Sequence, residues 1–156
     1  VIPLMLQDRL IERMSDTFKD TLLKNMKGER VPLKYYRQHL PNKSKIDSDS
    51  PYPCIIVRLS NGNKTSEADG QSTTVQFIVG IIDRDDNNQG YQDVMTIINR
   101  IIEDLTRQPM IDNLYEVDPD MNWSYHDEDV EPYFFAGLET TWHTPQYLRE
   151  DVEHLI

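Results

Sequence analysis

Apolar residues recur at every fourth position through the start of the chain: Leu6, Leu10, Met14, Phe18 and Leu22, with Ile11 and Leu23 widening the stripe. That period stacks side chains on one helical face and predicts an amphipathic helix over residues 3–26. Pro3 suits a first turn, Lys24 and Lys27 lie at the negative end of the helix dipole, and Gly28 suits the position just past the end. The period then changes. Val31, Leu33 and Tyr35 alternate and predict a strand over residues 31–40, after which residues 41–53 collect Pro, Asn, Ser, Asp and Lys, the chemistry of a loop. A second strand is expected over residues 54–60. The polar residues 61–72, which include Gly62 and Gly70, read as a long hairpin connection. In residues 73–83, Val75, Phe77, Val79 and Ile81 share one face while Ile78 and Ile82 make the other partly apolar, as in a central strand.

Residues 90–107 return to the helical period, with Tyr91, Val94, Met95, Ile98, Ile101, Ile102 and Leu105 on one side. Gly90 is an acceptable cap, and Pro109 drives Gln108 away from the helical region. Two further strands are expected: residues 113–125, broken at Asp118 and Pro119, and residues 133–143, where Phe134, Ala136, Leu138, Thr140 and Trp142 alternate. The expected order is α-β-β-β-α-β-β. It describes an α+β fold (an α/β sandwich) with a mainly antiparallel sheet of about five strands and two amphipathic helices on one face. Residues 1–146 form a single domain in this reading, and residues 147–156 are an acidic C-terminal tail.

A chain of 156 residues, 38% of them hydrophobic, can bury one modest core. Its apolar runs fall short of the roughly 18 residues that span a bilayer, and the opening apolar residues lack the pattern of a signal peptide. The single cysteine, Cys54, excludes an internal disulfide framework. The net charge of −11 is unevenly spread. Residues 1–46 hold ten Lys and Arg against five Asp and Glu, whereas residues 47–156 hold six against twenty-two. Residues 112–131 carry eight acids and no Lys or Arg. Binding to a phosphate backbone draws on clustered positive charge, so the acidic part argues against a DNA-binding domain and suits a surface past which DNA slides.

Candidate chemistry is sparse. Asp83, Asp85 and Asp86 begin a segment resembling a calcium loop. A loop starting at Asp83 places Val94 where the bidentate Glu belongs, and one starting at Asp85 places Thr96 there. His126 with Asp127, Glu128 and Asp129 offers one imidazole among carboxylates, at a spacing that matches no zinc or two-metal motif. Cys54 lies within a strand, where a buried thiol is inert, and no nucleophile elbow, Walker A or dinucleotide fingerprint occurs. We therefore expect no catalytic residues, no cofactor and no metal. The aromatics Trp123, Tyr125, Tyr133, Phe134, Phe135 and Trp142 lie among acids, which points to core or protein interface and away from a nucleic-acid platform.

Four segments in order carry a family resemblance: residues 52–59 (YPCIIVRL), 75–83 (VQFIVGIID), 88–93 (NQGYQD) opening the second helix, and 132–145 (PYFFAGLETTWHTP). With the N-terminal helix, over residues 1–146, the chain resembles the tail terminator (tail completion) proteins of long-tailed bacteriophages, the family that includes the lambda tail terminator. The long 41–53 loop and the tail depart from that pattern. The resemblance implies a non-enzymatic virion protein forming a homo-hexameric ring that caps the tail tube. Its partners would be other copies of itself, the tail tube protein and the head–tail connector, with DNA only passing through the lumen. The protein would be assembled in the host cytoplasm and would reside at the neck end of the tail. For such a ring the charge split suggests contacts between Arg9, Arg13, Lys34 and Arg37 and the acids Asp85, Asp86, Asp127, Glu128, Asp129 and Glu131. Other readings are a different connector or head-completion subunit, a small metal-dependent enzyme using Asp83, Asp85, Asp86 and His126, or an acidic DNA-mimicking regulator.

Overall fold

The computed structural model describes residues 2–25, 27–41, 51–64, 71–83, 89–126 and 132–144. In chain order they form α1 (Ile2–Thr17), β1 (Leu22–Lys24), β2 (Arg30–Pro32), β3 (Lys34–Arg37), β4 (Cys54–Lys64) and β5 (Gln71–Ile82). There follow α2 (Gln89–Arg107), β6 (Met110–Ile111), β7 (Tyr115–Val117), β8 (Asn122–Tyr125) and β9 (Tyr133–Thr144). β1 and β2 make a separate antiparallel ribbon. The remaining strands form one seven-stranded sheet in the order β3-β4-β5-β9-β7-β6, with β8 also paired to β9, and the sheet curls into a half-barrel.

Three long strands, β4, β5 and β9, set the two faces. Val57, Phe77 and Leu138 lie in one row across them, and Ile55, Val79 and Ala136 lie in the next. Paired residues share a face, so this alternation makes one face continuously apolar. Both helices pack on it, α1 over β3 and β4, α2 over β5 and β9. Leu6, Leu10, Met14 and Phe18 of α1 and its final turn join Val94, Ile98, Ile101 and Leu105 of α2 in a single core with these strands. The helices are fastened to one another along their seam. Arg13 Nε donates to Asp104 Oδ2 at 3.0 Å, and the Arg100 guanidinium donates to Thr17 O at 3.0 Å while its cationic carbon sits 5.2 Å from the Phe18 ring centre.

The expected sheet was wrong in number and in character: it has seven strands, not about five, and it is mixed, because β3 runs parallel to β4. A parallel pair needs a crossover of a dozen or more residues, and residues 38–53 supply that length. The expected strand over residues 31–40 is two strands, with β2 given to the ribbon. The expected strand over residues 113–125 resolves into β7 and β8, joined through Asp118 and Pro119. The first helix stops at Thr17, well short of residue 26. Asn25 explains that loss: its Oδ1 accepts from the N–H groups of Lys27 and Glu29, both at 2.9 Å, and Gly28 takes φ of 81°. This tight turn reverses the chain, and Leu22 and Leu23 pair with β2 instead of extending the helix.

β3 ends by a side-chain substitution. Gln38, at φ 65°, turns its backbone away and places its amide where the strand would have continued. Its Oε1 accepts from Leu59 N–H at 2.6 Å and its Nε2 donates to Leu59 O at 3.2 Å. The buried Gln7 of α1 completes the cluster, donating to Gln38 Oε1 at 2.8 Å and Val57 O at 2.9 Å. Among the described residues no helix is long and apolar enough to cross a membrane.

Two substitutions test this packing. Ile98 is 1% exposed, so Ile98→Asp buries an unpaired carboxylate and is expected to cost several kcal/mol, about 4 by the usual penalties. A cooperative melt with an unchanged midpoint would contradict the placement of α2. At Gly90 an added Cβ would lie 2.4 Å from the Phe134 ring. Gly90→Ala is therefore expected to lower stability by about 1–3 kcal/mol despite alanine's better helix propensity, measured by urea denaturation.

Candidate interaction surface

The sheet's second face has no covering layer among the described residues. Rows opposite the helices run Tyr36, Ile56, Ile78, Gly137 and Ser124, then Arg58, Gln76, Glu139 and Asn122. Near the β3 end an aromatic group covers part of it. Tyr52 lies 5.0 Å from Tyr133 and 5.8 Å from Phe135 between ring centres. These rings close over Gly80, where a Cβ would come within 2.8 Å of Tyr52. Cys54 and Ile82 are buried. Beyond the rings the face opens into a concavity of about 540 Å³ bordered by Gln76, Ile78, Ser124, Phe135, Gly137 and Glu139. Its lining mixes apolar Ile78 and Phe135 with polar Gln76, Ser124 and Glu139, a composition suited to a protein partner's side chains.

Burial raises four weak acids here and beneath α1, Tyr36 on the open face among them. The Cys54 thiol is pushed up to about 12 by burial, against the smaller lowering effects of a Gly80 backbone hydrogen bond and Lys34. The Tyr52 hydroxyl is pushed up to about 12 by burial, with Cys54 and Tyr133 adding to it. Burial likewise pushes Tyr35 up to about 12, and its hydroxyl donates to Met14 O at 3.2 Å. A thiol held protonated cannot act as a nucleophile at neutral pH.

The basic residues singled out from the sequence have partners within the chain. Arg13 and Asp104 form a pair only 15% and 18% exposed at their side chains. Arg9 bridges Glu12 at 3.1 Å and Asp112 at 3.0 Å on the surface. Arg37 meets Asp8 at 2.8 Å with both side chains more than half exposed. Lys34 sits on β3 opposite Cys54. Asp85, Asp86, Asp127, Glu128, Asp129 and Glu131 lie outside the described residues. Of the residues considered for a metal-dependent enzyme, Asp83 and His126 border different cavities: Asp83 that between the ribbon and α2, His126 the open sheet face. Among the described residues no group of three or more His, Cys, Asp or Glu is placed to hold a metal ion.

Sequence reasoning missed the polar residues that organise the interior. Gln7, 2% exposed, stands beside the apolar stripe of α1, and its place next to Leu6 was a readable signal. Asp104 had none beyond its helical position. Thr140 is fully buried: its hydroxyl donates to Val75 O and accepts from the Trp142 indole, both at 2.9 Å. Its place in an otherwise apolar alternating face was the clue.

The interior and surface ion pairs should separate sharply in measurement. Asp104→Ala removes charged hydrogen bonds from a largely buried arginine and is expected to cost about 2 kcal/mol. Asp8→Ala breaks an exposed pair and should cost less than about 1 kcal/mol. Chemical denaturation of both variants decides it, and equal losses would contradict the difference in burial. For pH, the raised acids are neutral in the folded state and ionise more easily once unfolded. Their contribution is complete below the ordinary thiol value of 9.0 and is lost as pH climbs from there towards 12. The melting temperature should therefore fall progressively above pH 9, less steeply in Cys54→Ala. Calcium or EDTA should leave it within about one degree, since a ligand bound only to the native state must stabilise it.

No protein-family model matches the chain, and no curated protein matches it in sequence.

Proposed function

We propose that this chain is a structural subunit of a tailed bacteriophage that assembles into a closed ring at the head-proximal end of the tail tube. In this role it has no catalytic site. It caps the tube, offers a docking surface to the head–tail connector, and lets DNA pass through its lumen. The resemblance of four ordered segments to tail terminators supports the assignment. The observation that carries it physically is the one-sided layering: two helices cover one sheet face, while the other, partly apolar and concave, has no layer over it among the described residues. A partly apolar open face and strand edges that lack a partner strand among the described residues are liabilities for a free monomer, and heterologous ring contacts that close on themselves would cover such surface.

The net charge of −11 also fits the role, because an acidic channel retains a polyanion little. The expected ring is a hexamer, as in the family it resembles. The test is genetic. Phage lacking the protein should produce tails of uncontrolled length that fail to join heads, as seen by electron microscopy. Normal-length, head-joined tails in its absence would refute the assignment.

A further inference from the structure

Two short strands at opposite ends of the sheet have complementary properties. β3 pairs only with β4 and β8 only with β9 among the described residues. β3 is basic, with Lys34 and Arg37 in its four residues. β8 is entered through Asp118 and the exposed Asp120, and acids at 127–129 follow it in the sequence. The strand directions are also suited to union. β3 is parallel to β4, and each later step to β5, β9 and β8 is antiparallel, so β8 runs opposite to β3. A rotation about an axis along the strands preserves direction and would set the two antiparallel.

The hydrogen-bonding phase agrees as well. Lys34 N–H donates to Pro53 O at 3.0 Å and Gln38 N–H to Val57 O at 3.1 Å, so Tyr35 between them directs its peptide groups away from β4. On β8, His126 N–H donates to Phe135 O at 3.0 Å. Alternation along an antiparallel pair then assigns Ser124 and Asn122 to bonds with β9 and turns the peptide groups of Trp123 outward. Tyr35 stands opposite Ile55 and Trp123 opposite Leu138, both in the core. The outward-bonding residues of both edges therefore carry helix-side side chains. Residues that exchange bonds across an antiparallel pair share a face, so a joint made here keeps both helix layers on the same side.

We infer that the β3 edge of one copy of this chain pairs antiparallel with the β8 edge of the next, Tyr35 opposite Trp123, so that the sheet runs on from subunit to subunit. The inference deepens the ring reading above and rests on it. The basic β3 edge meets the acidic approach to β8, which selects this edge-to-edge match over two like edges, where charges of one sign would oppose each other. Trp123, 57% exposed in the single chain, becomes a contact residue at the joint.

In this register Lys34 lies opposite Ser124 as a non-hydrogen-bonded pair on the open face, the closest spacing across an antiparallel ladder and within reach of a disulfide. The test uses the full chain carrying Lys34→Cys and Ser124→Cys together, oxidised while native, alkylated in denaturant and run on a non-reducing gel. The double variant should give a ladder of covalent multimers, and each single variant should stay monomeric, because the contact joins two different edges. A second variant, Trp123→Pro, removes the outward N–H without touching a bond to β9 and should abolish multimers while the circular dichroism melt stays cooperative. If the double variant stays monomeric while glutaraldehyde links the wild-type chain, the edge pairing is overturned and the ring reading stands. If neither treatment links the chain, both fall. Multimers that persist in Trp123→Pro would also overturn the pairing.

Discussion

Everything else in the structure depends on removing one face of the β4–β5–β9 layer from water. The rows through Val57, Phe77 and Leu138 and through Ile55, Val79 and Ala136 present a surface that only a second apolar layer can cover. Two helices supply it, each burying a stripe too narrow to be stable alone. Their seam is fastened by Arg13 on Asp104 and, at the surface, by Arg100 on Thr17 and Phe18, while Gln7 ties α1 to the sheet through Gln38 and Val57. Because both helices are spent on one face, the other is covered, among the described residues, only by its own aromatic cluster. The open concavity is a direct consequence of how the core is built.

How far the fold was legible follows the length scale of the forces involved. α2 and β5 could be read because burial imposes a period on many consecutive residues, and Val94, Ile98, Ile101 and Leu105 lie where that period puts them. The end of α1 could not be read from periodicity. Leu22 follows Phe18 at the same four-residue spacing, while Asn25 and Gly28 close a turn that outcompetes the helix. Parallel pairing of β3 with β4 leaves almost no local trace. Its one sign was the length of the 38–53 link, which reads equally as a loop. The short strands β6 and β7 are joined through Asp112 and Asn113, both at positive φ, a conformation those residue types tolerate but do not announce. The candidate surface was legible in part, through the partly apolar parity of Ile78 and Ile82 and through charge. The split between a basic start and an acidic remainder was visible in composition, but the pairings of Arg13 with Asp104, Arg9 with Asp112 and Arg37 with Asp8 are tertiary facts.

Those pairings change what the charge asymmetry does. Arg13 is fixed in the helix seam, so its charge serves the fold. Arg9 and Arg37 hold exposed, weak pairs that a neighbouring carboxylate can exchange at little cost. The acidic excess opposes the approach of other polyanions, while Lys34 and Arg37 make the β3 edge basic, the feature on which the proposed joint between copies draws. Among the described residues the domain leaves one sheet face open, has unlike edges and buries its thiol, and the proposed assembly with other protein chains rests on these features.

The solution mass of the intact chain bears most directly on that conclusion. Sedimentation velocity at near-physiological salt, over a wide range of concentrations, should reveal a discrete closed oligomer several times the mass of the 18.3 kDa chain, with no larger species growing in as concentration rises. A single 18.3 kDa boundary at every concentration would contradict the assembly of this chain into a ring.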